Sequence, residues 1–210
     1  MISVDNIEVF NFMGAIRGMR NPLNSWDKRD SKYSVFNFNK CEVDCAVGNN
    51  DLDLMRRLYK AGSEHRKFAR QIFVSMDITA PLYFWKEFDT YKIGTTSNSC
   101  STMHTIHRKK FEFDDFSHEH LSAHSMAVLE ILIGELNIYR EAYIKTKNKD
   151  KWWHMIQLLP TSYNQKRTIT MSYENVFNII KQRTNHKLDE WNTLVKILKD
   201  LPYVKEITGE

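Results

Sequence analysis

Leu121, Val128, Leu132, Leu136, Tyr139 and Tyr143 recur at helical spacing across residues 117–147 and make one broad apolar stripe. A helix of that length is the spine of a helical domain, and the strand-like stretch at 71–78 is expected to pack against it. The same region excludes a membrane span. Its longest apolar piece, near Met126–Ile133, is broken by Glu130 and falls short of the ~20 residues a span needs. At 210 residues the chain suits one domain, which would bury roughly 70% of its unfolded surface. We expect a single α+β domain over residues 1–210, helix-rich with a small antiparallel sheet.

Other segments fill in that frame. Residues 7–12 (IEVFNF) alternate like a half-buried strand, whereas 13–50 lose periodicity and read as an irregular loop region with short elements. From Asp51, Leu52, Met55, Leu58 and Tyr59 follow a helical pattern that Gly62 can close. Gln71–Ile78 reads as a strand, and a helix over about 81–90 starts at Pro81 with Thr79 as its N-cap. Gly94–Met103 is a polar loop. Trp152–Leu159, residues 173–183 and residues 186–199 are three more helices, the first ended by Pro160 and the last by Pro202.

With 27% charged residues, only 7 Gly and only 4 Pro, the chain is neither low-complexity, collagen-like nor wholly disordered. Thirty Lys+Arg against 26 Asp+Glu leave a net charge of +4, mild for a nucleic-acid binder. The basic runs His107–Lys110 and Lys145–Lys151 read as solvated surface. Nucleic acid and membrane are not expected partners. The N-terminus shows no basic segment followed by an apolar one, and the three cysteines, Cys41, Cys45 and Cys100, have no zinc-like pairing. These features point to a reduced, cytoplasmic protein.

Eight histidines raise a metal reading, because His120 and His124 could share a helix face. No Glu stands in the HExxH position and no third ligand follows, so no metal is expected. Gly-rich phosphate loops and nucleophile elbows are absent. Anion binding must therefore use side chains such as those of Glu64–Arg70 and of Pro160–Arg183. Asn178 and Arg183, five apart, point about 140° away from one another on a helix but can line one cleft from adjacent sides.

The order of these motifs resembles the flavin-dependent thymidylate synthases. Ala80-Pro81 ends a strand before a helix, then come Asp89-Thr90-Tyr91-Lys92 and the loop Ser97–Met103. Leu159-Pro160, Lys166, Ser172, Asn178 and Arg183 fall at the family's spacings without a gap. His186 and Trp191 each lie one residue from the family's His and Trp positions, and Met13-Gly14 is similar to its early Met-Gly turn. The family's Arg-His-Arg flavin motif is replaced by Thr90-Tyr91-Lys92, and the Arg expected after Ser101 is Met103. The resemblance is to a divergent member with a degraded flavin motif.

That resemblance implies an FAD-dependent methyltransferase converting dUMP to dTMP, with NADPH and a folate as co-substrates. It implies Arg183 as the catalytic group polarising the pyrimidine carbonyl, and Ser101, Gln165 and Lys166 as further contacts to the nucleotide. His65, Arg66, Lys92, Asn98, Asn178 and His186 would form the flavin side. It also implies a homotetramer with sites shared between subunits. Two readings stay open beside it: a nucleotide-binding protein of the same fold without flavin chemistry, and a regulatory or interaction module.

Overall fold

The computed structural model describes residues 2–33 and 45–209. In chain order its regular elements are β1 (Ser3–Phe10), α1 (Phe12–Arg20), β2 (Lys32–Tyr33), β3 (Cys45–Ala46), α2 (Asn49–Lys60), β4 (Phe73–Pro81) and α3 (Leu82–Phe88). Then follow β5 (Thr95–Ser99), α4 (Thr102–Thr105), α5 (Ala123–Thr146), α6 (Lys149–Leu158), β6 (Asn164–Ser172), α7 (Tyr173–Arg183), α8 (Asp189–Lys199) and α9 (Val204–Thr208). The architecture is α+β, with a small antiparallel sheet in the order β1-β4-β6-β5. No helix among the described residues is long and apolar enough to cross a membrane. The chain divides into two compact units.

One unit is built mainly on Ile78–Thr90 and Asn98–Arg167. Its core joins Leu129, Ile133 and Leu136 of α5 to Met155 of α6 and to Ile106, Phe111 and Phe116. Leu132, Tyr139 and Tyr143 pack at its margin. The expected stripe is therefore rotated: Leu136 is buried, but Leu121 and Val128 are exposed. Ser122 starts α5 by accepting the Ser125 N–H at 3.3 Å, which leaves Leu121 outside the helix. α5 carries apolar residues on several faces, so spacing alone does not say which one turns inward. Nor does the cluster beneath α5 contain any residue of 71–78, contrary to expectation.

The other unit is built mainly on Val4–Asp77, Tyr91–Ser97 and Thr168–Glu210. Residues 12–20, of which 12 is expected to end a strand and 13–20 to be loop, form α1 because Phe12, Met13, Ala15, Ile16 and Met19 bury one face and outweigh Gly14 and Gly18. The following stretch is pinned by polar contacts. Arg20 Nε donates to the buried Asp51 carboxylate at 2.8 Å, which also accepts from Ser31 Oγ at 2.6 Å and from the Asp30 and Ser31 N–H groups. The Asp30 carboxylate in turn accepts the N–H groups of Asn50 and Asp51, capping α2 from a distance. A Cβ at Gly48 would collide with that carboxyl, so a glycine precedes the helix.

Two further boundaries differ from expectation. Pro81 ends β4 and stands at the N-cap of α3, with extended backbone, so Thr79 belongs to the strand. The polar loop Gly94–Met103 contains the strand β5 and the start of α4. Cys41 lies outside the described residues.

Candidate functional site

α7 carries the strongest arrangement of polar groups onto one end of its unit. Its apolar residues, Val176, Phe177, Ile179 and Ile180, are buried, which leaves Glu174 and Asn178 half-buried on another stripe. At its C-terminal end Arg183 is held from several sides. Its Nε donates to Tyr91 Oη at 2.9 Å, its Nη1 meets His186 Nε2 at 3.1 Å, and its guanidinium lies 4.6 Å from the centroid of the buried Trp191 ring. Tyr91 Oη donates onward to Gln182 Oε1 at 2.9 Å, so the hydroxyl both accepts and donates. A half-buried arginine fixed this way between aromatic rings loses little entropy when it binds a planar, electron-rich ligand.

The expected flavin-side residues of this unit divide. His186 stands beside Arg183, its Nε2 3.1 Å from Arg183 Nη1. Arg66 pairs with Glu174 at 3.0 Å and lies 5.2 Å from the Tyr59 ring centroid. Arg66 Nε and Glu174 Oε2 are both buried without a hydrogen-bond partner, an unspent donor and acceptor. Asn178 follows Glu174 by four residues and so shares its face of α7. His65, although next to Arg66, faces elsewhere. It is exposed and lines a cavity of about 720 Å³ with Arg20, Lys28, Arg57, Lys67 and Phe68. Lys92 is exposed in the turn before β5.

In the other unit the nucleotide-side residues are placed as follows. Ser101 is the N-cap of α4, its hydroxyl accepting the His104 N–H at 3.2 Å and its carbonyl the Thr105 hydroxyl. Gln165 is buried and committed: its Nε2 donates to the Cys100 carbonyl at 2.9 Å and to Thr102 Oγ1 at 3.1 Å. Its Oε1 accepts from Arg167 Nε at 3.0 Å. Lys166 is exposed on β6, with its carbonyl accepting the Cys100 N–H at 2.9 Å. Asn98, expected on the flavin side, is exposed on β5. One anchored cation of this unit is Arg167, the neighbour that spacing passed over. It pairs with Asp89 at 2.7 Å and lies 4.3 Å from the Trp85 ring centroid.

Tyr91 and Gln182 are the participants that sequence reasoning missed. Tyr91 stands 92 positions from Arg183, and nothing in the spacing of either residue announces the pair. In the histidine cluster, His118 Nδ1 lies 2.7 Å from the Phe116 carbonyl oxygen. Among the described residues no group of three or more His, Cys, Asp or Glu side chains could hold a metal ion.

The fold as a whole is similar to solved structures of the flavin-dependent thymidylate synthase ThyX from Helicobacter pylori complexed with FAD and dUMP. One matches with a TM-score of 0.66 at 17% identity, another with 0.65 at 16% identity. Each match covers 100% of this chain and 97% of the other. No family model and no curated protein matches the chain.

Proposed function

We propose that the protein is an FAD-dependent thymidylate synthase-like enzyme that methylates a uracil nucleotide, dUMP, with a folate one-carbon donor and NADPH as reductant. The observation that carries this reading is the likeness, over the full chain, to an enzyme whose solved structures hold FAD and dUMP. The locked Arg183 supports it from this chain's own residues. Its forked guanidinium suits a pyrimidine carbonyl, where charge develops as the ring is attacked, and its fixed position removes reorganisation at that moment. Lys166 would supply a point charge to the nucleotide phosphate, and Ser101 a hydroxyl.

For the flavin, the unspent Arg66 Nε and Glu174 Oε2 fit a polar ligand along α7, and Arg66, Asn178 and His186 are the residues that would hold it. FAD bound there would carry the hydride, while the protein supplies orientation and electrostatics. A homo-oligomer fits the surface of α5, where Val128, Ile131 and Ile138 are 54%, 69% and 59% exposed and would be covered by a second copy.

One observation favours a second reading, nucleotide binding without flavin chemistry. The Thr90–Lys92 turn offers a single cation, the exposed Lys92, while Tyr91 is occupied with Arg183. The absorbance spectrum of the protein purified without added cofactor separates the two. A flavin band near roughly 450 nm, followed by saturable dUMP binding, supports the enzyme. A colourless protein that still binds dUMP selects the second reading, and no dUMP binding at all rejects both.

A further inference from the structure

The two basic runs that read as solvated surface, His107–Lys110 and Lys145–Lys151, meet in space. His104 and His107 on one side, and Lys147 and Lys149 on the other, line a pocket of about 350 Å³ walled by Tyr143 and Trp152. All of these residues belong to the unit built on Asn98–Arg167. We propose that this pocket is a binding site for a small, multiply charged phosphate-bearing anion, separate from the residues assigned above to the nucleotide and the flavin.

The first argument is unbalanced charge. Among the described residues His104, His107, Arg108, Arg140, Lys147 and Lys149 have no carboxylate partner. Arg140 donates only to the Arg108 carbonyl, at 3.4 Å, and its Nε is buried without a partner. His107 Nδ1 is likewise buried and unpartnered. Two orphaned polar atoms in one neighbourhood are costly to a folded protein unless something else satisfies or offsets them. Burial, and then the charges of Lys147, Arg108 and Arg140, hold the His107 imidazole below the usual histidine range. That is the electrostatic mark of cations gathered without a counter-charge.

Backbone placement points the same way. Lys147 ends α5 in the left-handed region, φ 55°, where glycine is the ordinary residue, and its ammonium lies 5.7 Å from the Tyr143 ring centroid. Lys149 opens α6, whose N-terminal peptide dipoles favour an anion, with the exposed Asp150 as the one acidic residue of that turn. Across the pocket Trp152 is fixed by its indole N–H donating to the Met103 carbonyl at 3.1 Å, which ties α6 to α4. Lysines without forked partners suit a phosphate as point charges.

Inorganic pyrophosphate is the probe, titrated by calorimetry into the wild type, the Lys147→Gln/Lys149→Gln double variant and Arg183→Lys. Both lysines are exposed, so the double variant should keep the wild-type melting temperature. The expected result is saturable binding that weakens roughly tenfold or more in the double variant, the scale of one charge-assisted hydrogen bond, and is unchanged in Arg183→Lys. Absence of saturable binding at millimolar pyrophosphate overturns the proposal, as does equal affinity in the double variant. Much tighter binding of a single-stranded oligonucleotide, lost in the double variant, would also overturn it by making the pocket part of a nucleic-acid surface. Loss of binding in Arg183→Lys would place the anion beside Arg183 and overturn the proposal.

Discussion

Tyr91 Oη accepts from Arg183 Nε at 2.9 Å and donates to Gln182 Oε1 at 2.9 Å, so one hydroxyl fixes the guanidinium at the end of α7. Position 91 is where the family resemblance places the histidine of the Arg-His-Arg flavin motif. Here it is an aromatic brace. Tyr91→Phe keeps the ring and removes the brace, leaving Arg183 with a lost acceptor. Thermal unfolding should show a loss of about 0.5–1.5 kcal/mol, the net worth of one hydrogen bond. Titration should show weaker dUMP binding, and unchanged affinity would mean that orientation of Arg183 does not matter to the nucleotide.

Arg183→Lys tests the residue itself. A lysine keeps the charge but not the fork, and it stacks less well on Trp191. Nucleotide affinity should fall by about 1.5–3 kcal/mol, the scale of a hydrogen bond to a charged group. Stability should move far less. Equal dUMP affinity in the two proteins, read by calorimetry, would remove Arg183 from the site.

How much of this could be read in advance depended on where the stabilising partners lie. The bounds of α7, 173–183, were legible because its apolar positions recur at helical spacing and all turn inward. β6 was not, since Asn164, Gln165, Lys166 and Arg167 precede Ile169 and Met171 and look like a loop. Gln165 is buried there only because Cys100, Thr102, Arg167 and Trp85 satisfy its polar groups, and spacing in one chain segment cannot announce those partners. The fold was legible through motif order. The Tyr91 brace, the commitment of Gln165 and the anchoring of Arg167 are tertiary facts.

The rotated face of α5 gives a packing test. Leu136 is fully buried among Ile133, Leu129 and Met155, so Leu136→Ala should cost about 2–5 kcal/mol through lost burial and a residual cavity. Ile131→Ala, on the exposed face, should change monomer stability little. If a second copy covers that face, Ile131→Ala should instead shift the sedimentation of the protein toward smaller particles. Equal destabilisation by both substitutions in urea melts would show that the inward face is misassigned.

Asp51 ties acid sensitivity to the region between α1 and α2. Burial alone would raise its pKa. The hydrogen bonds from Ser31 and Arg20, with the N–H groups of Ser31 and Asp30, more than offset this and hold the carboxyl below the ordinary aspartate value. A group whose folded pKa is depressed contributes stability above its unfolded pKa, about 3.9, and loses it as pH falls through the folded value. Urea melts of the wild type should therefore show little change from this group between roughly pH 7 and 5, then a decline below about pH 4. Asp51→Asn removes the charge and leaves Arg20, itself buried, unpaired. Such a break costs about 3–5 kcal/mol near neutral pH. The gap between wild type and variant should narrow as pH falls below about 4, because protonation abolishes in the wild type the charge that the variant already lacks. A gap that stays constant down to the acid limit would mean that the Arg20–Asp51 pair is not the source of the stability.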